Sequence, residues 1–389
     1  MLCDRVEKVH VAAGLTYARA RLWLGIASVG TLVVLAVAGL VLRLPARISS
    51  LFPEGWLGDS ATLLLFLLVY VAVTFPFDLI GGWLLPRRYG RSSASFAEWW
   101  GGWLRGVFVQ LLVYMIGGLS LVAAGRLGGT PGGVAVVGAL MLLLIAFQWR
   151  LARVVGGLRG GAGSPSPADA RTMRLEAALA SDPGFVGGWV GFPGCERLVV
   201  PAHWAEVLHP DQMAAQLVRR RVALESGSRR RGLWLAIAWN LTGLWLCSLM
   251  PGAGFGSVED LLATTLWFVL WSFLGLLILP TPSRAGVYEC DRGALTAGVA
   301  RGTLEGTIRA LDRLQEDEPG RPAGIERIFH PVPSVANRLA GLDAASAPRG
   351  AWHAARTTLY LSWACLGLLA RAVHCNCGRP QLWVLFPGD

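Results

Sequence analysis

Six apolar runs decide what this chain can fold into: about Leu22–Leu42, Ala61–Leu85, Trp103–Ala124, Gly132–Gln148, Leu233–Met250 and Val258–Leu279. A hydrocarbon core about 30 Å thick takes roughly 20 helical residues to cross. Inside it, every backbone N–H and C=O must be paired within the chain, so such runs predict membrane helices. A seventh run, Trp352–Ala370, is interrupted by His353 and Arg356, leaving only Thr357–Ala370 clean, which is short for an untilted span. The expected fold class is mostly α: a polytopic helical membrane protein of six to seven spans, with a cytoplasmic helical domain carrying a small β-hairpin. Composition agrees, with 54% hydrophobic and 15% charged residues and 17 tryptophans, a side chain that favours the membrane–water interface. The first run is too long for a signal-peptide core and reads as a retained anchor. The cysteines are scattered and odd in number, which argues against a disulfide framework.

Charge orients the spans. The net charge of +10 is almost entirely arginine and gathers in Pro86–Arg91, Arg150–Arg231 and Pro280–Arg349, whereas the turn Met250–Ser257 carries little. Positive segments stay on the cytoplasmic side, so the N-terminus and both large polar segments are expected there. Attraction to anionic lipid accounts for the basic excess, and a nucleic-acid partner is not expected. Residues 1–150 form a four-span region. A Gly-, Ser- and Pro-rich linker covers 151–167, and 168–350 is a polar region interrupted by the spans near 233–250 and 258–279. A hydrophobic helix and tail take up 351–389. Within the polar region, "ADARTMRLEAALASD" reads as a helix ending before Pro183. "GWVGFPGCERLVVPAHW" reads as a hairpin around a Pro-Gly turn, and a helix is expected to begin near Pro210.

The order of these parts resembles the membrane zinc metallopeptidases that include the CAAX prenyl proteases and HtpX-like proteases. In "ERLVVPAHWAEVLHPDQMAAQLV" the chain looks like that family's hairpin edge and first site helix. "RRGLWLAIAWNLTG" looks like the entry into a pair of membrane helices, "PSRAGVYECDRGA" like the second site helix, and "FHPVPSVANRLAGL" like a later segment packed nearby. "FPFDLIGGWLLPRRYGRSSASFAEWW" is similar to the region between early spans. The resemblance implies a helix carrying H-E-x-x-H, whose two histidines lie on one face and share zinc, beside a glutamate that activates water. It also implies a third carboxylate ligand, four residues before an aspartate.

The substitutions in this pattern set the functional expectation. In the register starting from Pro210, the first ligand position holds Arg219, the general base Arg220 and the second ligand Ala223; the third ligand position holds Val287. A one-residue slip gives Arg220, Arg221 and Leu224 and restores no ligand, since no histidine lies between His209 and His330. Arginine has no lone pair to offer a metal at neutral pH. Asp291, His330 and Arg338 match the resemblance. The expectation is a metallopeptidase-like protein without the zinc cofactor or the protease chemistry. It would act as a scaffold or as the partner of an active paralogous protease or membrane-protein client in the lipid bilayer. Alternatives are an active zinc endopeptidase with unusual ligands such as His203, His209 and His330, and an unrelated multi-span transporter.

Several side chains carry two readings. Arg219–Arg221 read as solvated surface, or as an anion or headgroup site in the place of the zinc, or more specifically as a tie in which Arg219 or Arg220 pairs with Asp291 or Glu289 instead of the metal. Arg229–Arg231 read as ordinary membrane-flanking charge. "HWAEVLH", with His203, Glu206 and His209, fits no zinc spacing, and "HCNC", His374–Cys377, lacks a second cluster, so both are expected to be structural. His330 is expected to pack. Asp78 is an intramembrane acid, functional by default unless it pairs with Arg87 or Arg88.

Overall fold

A computed structural model describes residues 15–161, 174–344 and 346–385. Helix α1 (Tyr17–Val41) starts where the Thr16 hydroxyl accepts from the Arg19 amide, and α2 (Leu44–Ser49) follows at once. Helix α3 (Trp56–Leu79) contains Pro76 and runs through a π-helical turn, Ile80–Leu84, into α4 (Leu85–Arg88). Helix α5 (Phe96–Gly156) opens with a reciprocal Ser95/Glu98 capping box. Its backbone breaks at Gly129 (φ 59°, ψ −152°), so it is two helices joined by a kink, as the separate runs around 103–124 and 132–148 predict. Only glycine takes such angles without a Cβ penalty.

A four-stranded sheet follows, made of β1 (Arg159–Gly160), β2 (Leu175–Leu179), β3 (Gly188–Val190) and β4 (Arg197–Pro201), in the order β1-β2-β4-β3. Strands β3 and β4 are the expected antiparallel hairpin. The helix expected over 168–182 is not observed in its described part. Residues 175–179 are instead β2, held between β1 (antiparallel) and β4 (parallel). Two neighbouring strands override the local helix preference of an alanine-rich segment. The expected linker is also structured as far as 161, since 151–156 end α5 and Arg159–Gly160 pair with β2; 162–167 lie outside the described residues.

Helix α6 (Trp204–Val207) leads to α7 (Pro210–Glu225), with Pro at its first position and His209 as cap. Gly227, in the left-handed region, turns the chain into α8 (Ser228–Ser248). After α9 (Val258–Ile278) a proline starts α10 (Pro280–Thr296). Then come α11 (Arg301–Gln315), α12 (Ala323–Phe329), α13 (Val335–Gly341) and α14 (Ala354–Leu361). Among the described residues, four helical stretches are long and apolar enough to cross a membrane: Tyr17–Val41, Trp56–Arg88, Phe96–Gly156 and Val258–Thr296. Helix α8 is 21 residues long, but its arginines and Asn240 dilute its apolar character.

The C-terminal segment departs most from expectation. Helix α14 has eight residues, about 12 Å of rise, too little to span. It gives way to single 3₁₀ turns at Ser362–Cys365, Leu368–Ala370 and Pro380–Leu382, nearly all of them buried among the long helices. Irregular backbone at this depth needs protein partners, and it has them. Tyr70 and Tyr114 donate to the carbonyls of Leu368 (3.0 Å) and Gly367 (2.9 Å), Asn240 to Thr358 (3.0 Å) and Trp99 to Gly378 (2.9 Å). Close approach is possible because small residues face the segment. A Cβ on Gly25 would lie 2.5 Å from the His374 nitrogen, and one on Gly82 would lie 2.0 Å from the Gly378 oxygen.

Candidate functional site

Helices α7, α10 and α13 meet around one carboxylate. Asp291, on α10, is 1% exposed. Arg338, from α13, donates to both of its oxygens, Nε to Oδ2 at 2.8 Å and Nη2 to Oδ1 at 2.7 Å. Arg219, from α7, donates from Nε to Oδ1. Two guanidiniums thus clamp a single acid in a water-poor interior, where charge-assisted hydrogen bonds are strongest. Of the residues the sequence singled out, Arg219, Asp291 and Arg338 come together here.

Arg220, also 1% exposed, points the other way, into the sheet. Its Nη2 donates to the Val186 carbonyl (2.6 Å) and Nη1 to the Val199 carbonyl (3.3 Å), and its guanidinium lies 4.7 Å from the Trp204 ring centre. Trp189 closes the contact by donating to the Arg220 carbonyl at 2.9 Å. The solvated-surface reading therefore fails for both residues. It holds only for Arg221, whose partly exposed side chain lies 3.7 Å from Glu225 one turn on. Of the pairings considered for a structural tie, Arg219–Asp291 is present. Glu289 instead takes Arg231, at 2.7 Å from both oxygens.

Ala223 and Val287 are packed apolar positions. They are 0% and 1% exposed and share a core with Leu217, Cys290, Leu311 and Trp352. The Arg229–Arg231 run is also more than flanking charge: Arg229 is buried and donates to Glu196 (3.2 Å) and the Gly191 carbonyl (2.6 Å). Asp78 does not use Arg87 or Arg88. It faces Arg371 of the C-terminal segment at 3.0 Å, and accepts from Trp103 (3.0 Å) and the Gly378 amide (2.7 Å).

A second polar cluster lies where the α11–α12 region meets the C-terminal segment. Glu316, His330 and His374 place one donor atom each within 4.8 Å of one another. His330 belongs to this cluster, whereas Asp291 and Arg338 pair with each other, although all three belong to the matched pattern. Burial pushes the His330 imidazole down to about 3 against the pull of Glu316. Burial alone would raise the Glu316 carboxyl, but Arg321 and the two histidines outweigh it and hold it well below the ordinary range. His374 belongs to "HCNC", and nothing in the separate sequence positions announces that it reaches residues 44 and 58 places earlier. His203 and His209 are not part of this cluster; His209 is exposed on the α7 cap.

Among solved structures, the crystal structure of Ste24p from S. mikatae matches the chain with a TM-score of 0.68 at 13% identity. The match covers 84% of this chain and 87% of that one. The fold expected from the resemblance to CAAX prenyl proteases is thus the fold observed, a membrane-embedded helical one. No protein-family model matches the chain, and no curated protein matches it in sequence.

Proposed function

We propose that this chain is a membrane metallopeptidase-like protein of the CAAX prenyl protease type that has lost peptidase chemistry and acts as a scaffold or binding partner in the bilayer. The Arg219–Asp291–Arg338 clamp carries this reading. In the register of the resemblance, Arg219 and Arg220 stand for a zinc ligand and the general base, and Ala223 and Val287 for the other two ligands. Guanidinium, methyl and isopropyl groups offer zinc no lone pair, so the metal implied by the fold does not fit this donor set. The contact between α7 and α10 supports the register, because position 219 reaches Asp291 while 223 and 287 share one apolar core.

In this reading the six long runs cross the membrane, residues 351–385 do not form a seventh span, and the arginine-rich segments face the cytoplasm. An active enzyme using His203, His209 and His330 is disfavoured. Among the described residues, the one group of three or more ligand-type side chains close enough to share an ion is Glu316, His330 and His374. The test is cleavage of casein and of a membrane peptide by the purified full chain in detergent with added zinc. No turnover above buffer is expected. Turnover that a chelator abolishes and zinc restores would overturn the proposal.

A further inference from the structure

We propose that Glu316, His330 and His374 form a binding site for a first-row divalent transition metal of the zinc type, which pins the C-terminal segment to the α11–α12 region. The three donors come from three places in the chain. Glu316 caps α11, His330 caps α12, and His374 lies in the irregular segment threaded through the bundle. His374 Nε2 is 3.4 Å from Glu316 Oε1, and His330 Nδ1 is 3.8 Å from Glu316 Oε2. Tetrahedral zinc with bonds near 2.0–2.1 Å separates its ligand atoms by about 3.3 Å. Rotamer adjustments well under the width of a side chain would close the set.

Burial holds the ring in place: His330 is 4% exposed. The surrounding charges are compatible. Arg321 Nη2 holds Glu316 Oε2 at 2.6 Å and leaves Oε1 facing His374, an outer partner that orients a ligating carboxylate. Arg321 also contacts Glu318 at 3.3 Å, which in turn meets Arg19 of α1 at 3.3 Å, and Arg356 is a further cation acting on His330. Two imidazoles and one carboxylate suit zinc, copper or nickel rather than magnesium or calcium, which prefer all-oxygen sites.

This site does not depend on the substitutions at Arg219 and Ala223. Its failure would leave the proposed loss of peptidase chemistry standing, and the reverse holds too. The full chain in detergent is stripped with a chelator and titrated with Zn²⁺, and in parallel with Co²⁺ as a spectroscopic probe. One saturable equivalent is expected, with a rise in apparent Tm. The double variant His330→Ala/His374→Ala should weaken binding by about a hundredfold or more, since even outer-shell changes cost 10–100-fold. His374→Cys guards against misfolding as an explanation: it keeps a ligand at that place and should add a thiolate-to-cobalt absorption band. Absence of saturable binding in the parent chain overturns the site. So does binding unchanged in the double variant, or cobalt bound to His374→Cys without the new band.

Discussion

Two buried aspartates, Asp291 where α7, α10 and α13 meet and Asp78 among the long apolar helices, are held by arginine in different ways. Asp291 sits between two guanidiniums and has no neutral partner among its hydrogen bonds described above, so the cluster carries a net positive charge. Asp78 meets one guanidinium, Arg371, which is itself shared with Gln110 (3.1 Å) and Thr74 and lies over Tyr70 and Trp383. An indole and a backbone amide complete the shell of Asp78. The first arrangement depends on its acid; the second spreads its charge over several neutral dipoles. The contrast shows that a guanidinium can be buried in this fold either as one of two partners for a single acid or as a latch for a segment threaded through a bundle.

Breaking the acids separates the two. Asp291→Ala leaves two buried cations facing each other and should cost about 5 kcal/mol or prevent folding, as removing one member of a buried ion network does; thermal unfolding in detergent reads it. Asp78→Asn keeps the shape and an acceptor for the Gly378 amide, and should cost about 3 kcal/mol. Loss of protection should then centre on residues 362–385 in hydrogen exchange. Gly82→Ala places a methyl group against the Gly378 carbonyl and should cost about 1–3 kcal/mol through overpacking alone, with the same exchange pattern.

Replacing the whole clamp, Arg219→Leu/Asp291→Leu/Arg338→Met, sharpens the contrast from the other side. An apolar core of similar volume is expected to match the parent within about 1 kcal/mol or exceed it, because desolvating three charges cancels most of their attraction. A large loss there would show that the ions hold more than each other. At the small end, Arg221→Ala removes a partly exposed pair and should change stability by less than about 0.5 kcal/mol.

The sequence disclosed the parts that depend on local pattern. Apolar runs placed the long helices, Pro-Gly placed the β3–β4 hairpin, and Pro210 placed the start of α7. It also raised the Arg219–Asp291 pairing, although only as one alternative to a solvated face. Burial of Arg220 depends on a strand and a tryptophan that local sequence does not link to it. β2 was missed because "RLEAAL" has helix-forming residues and becomes a strand only through β1 and β4. The C-terminal segment reads as a weak span because its apolar length is visible in the sequence, while the tyrosines and glycines that receive it lie some 250 to 350 residues away. Glu316, His330 and His374 are single residues in three segments, and only "HCNC" and "FHP" marked two of them.

The central claim is that arginines, and no metal, hold α7 and α10 together. Hydrogen exchange of the full chain with and without a strong chelator tests it most directly. Protection of α7 and α10 should be unchanged by the chelator, whatever happens around residues 316–330 and 370–378. Loss of protection confined to α7 and α10 would mean that a metal ties those helices, and would contradict the account.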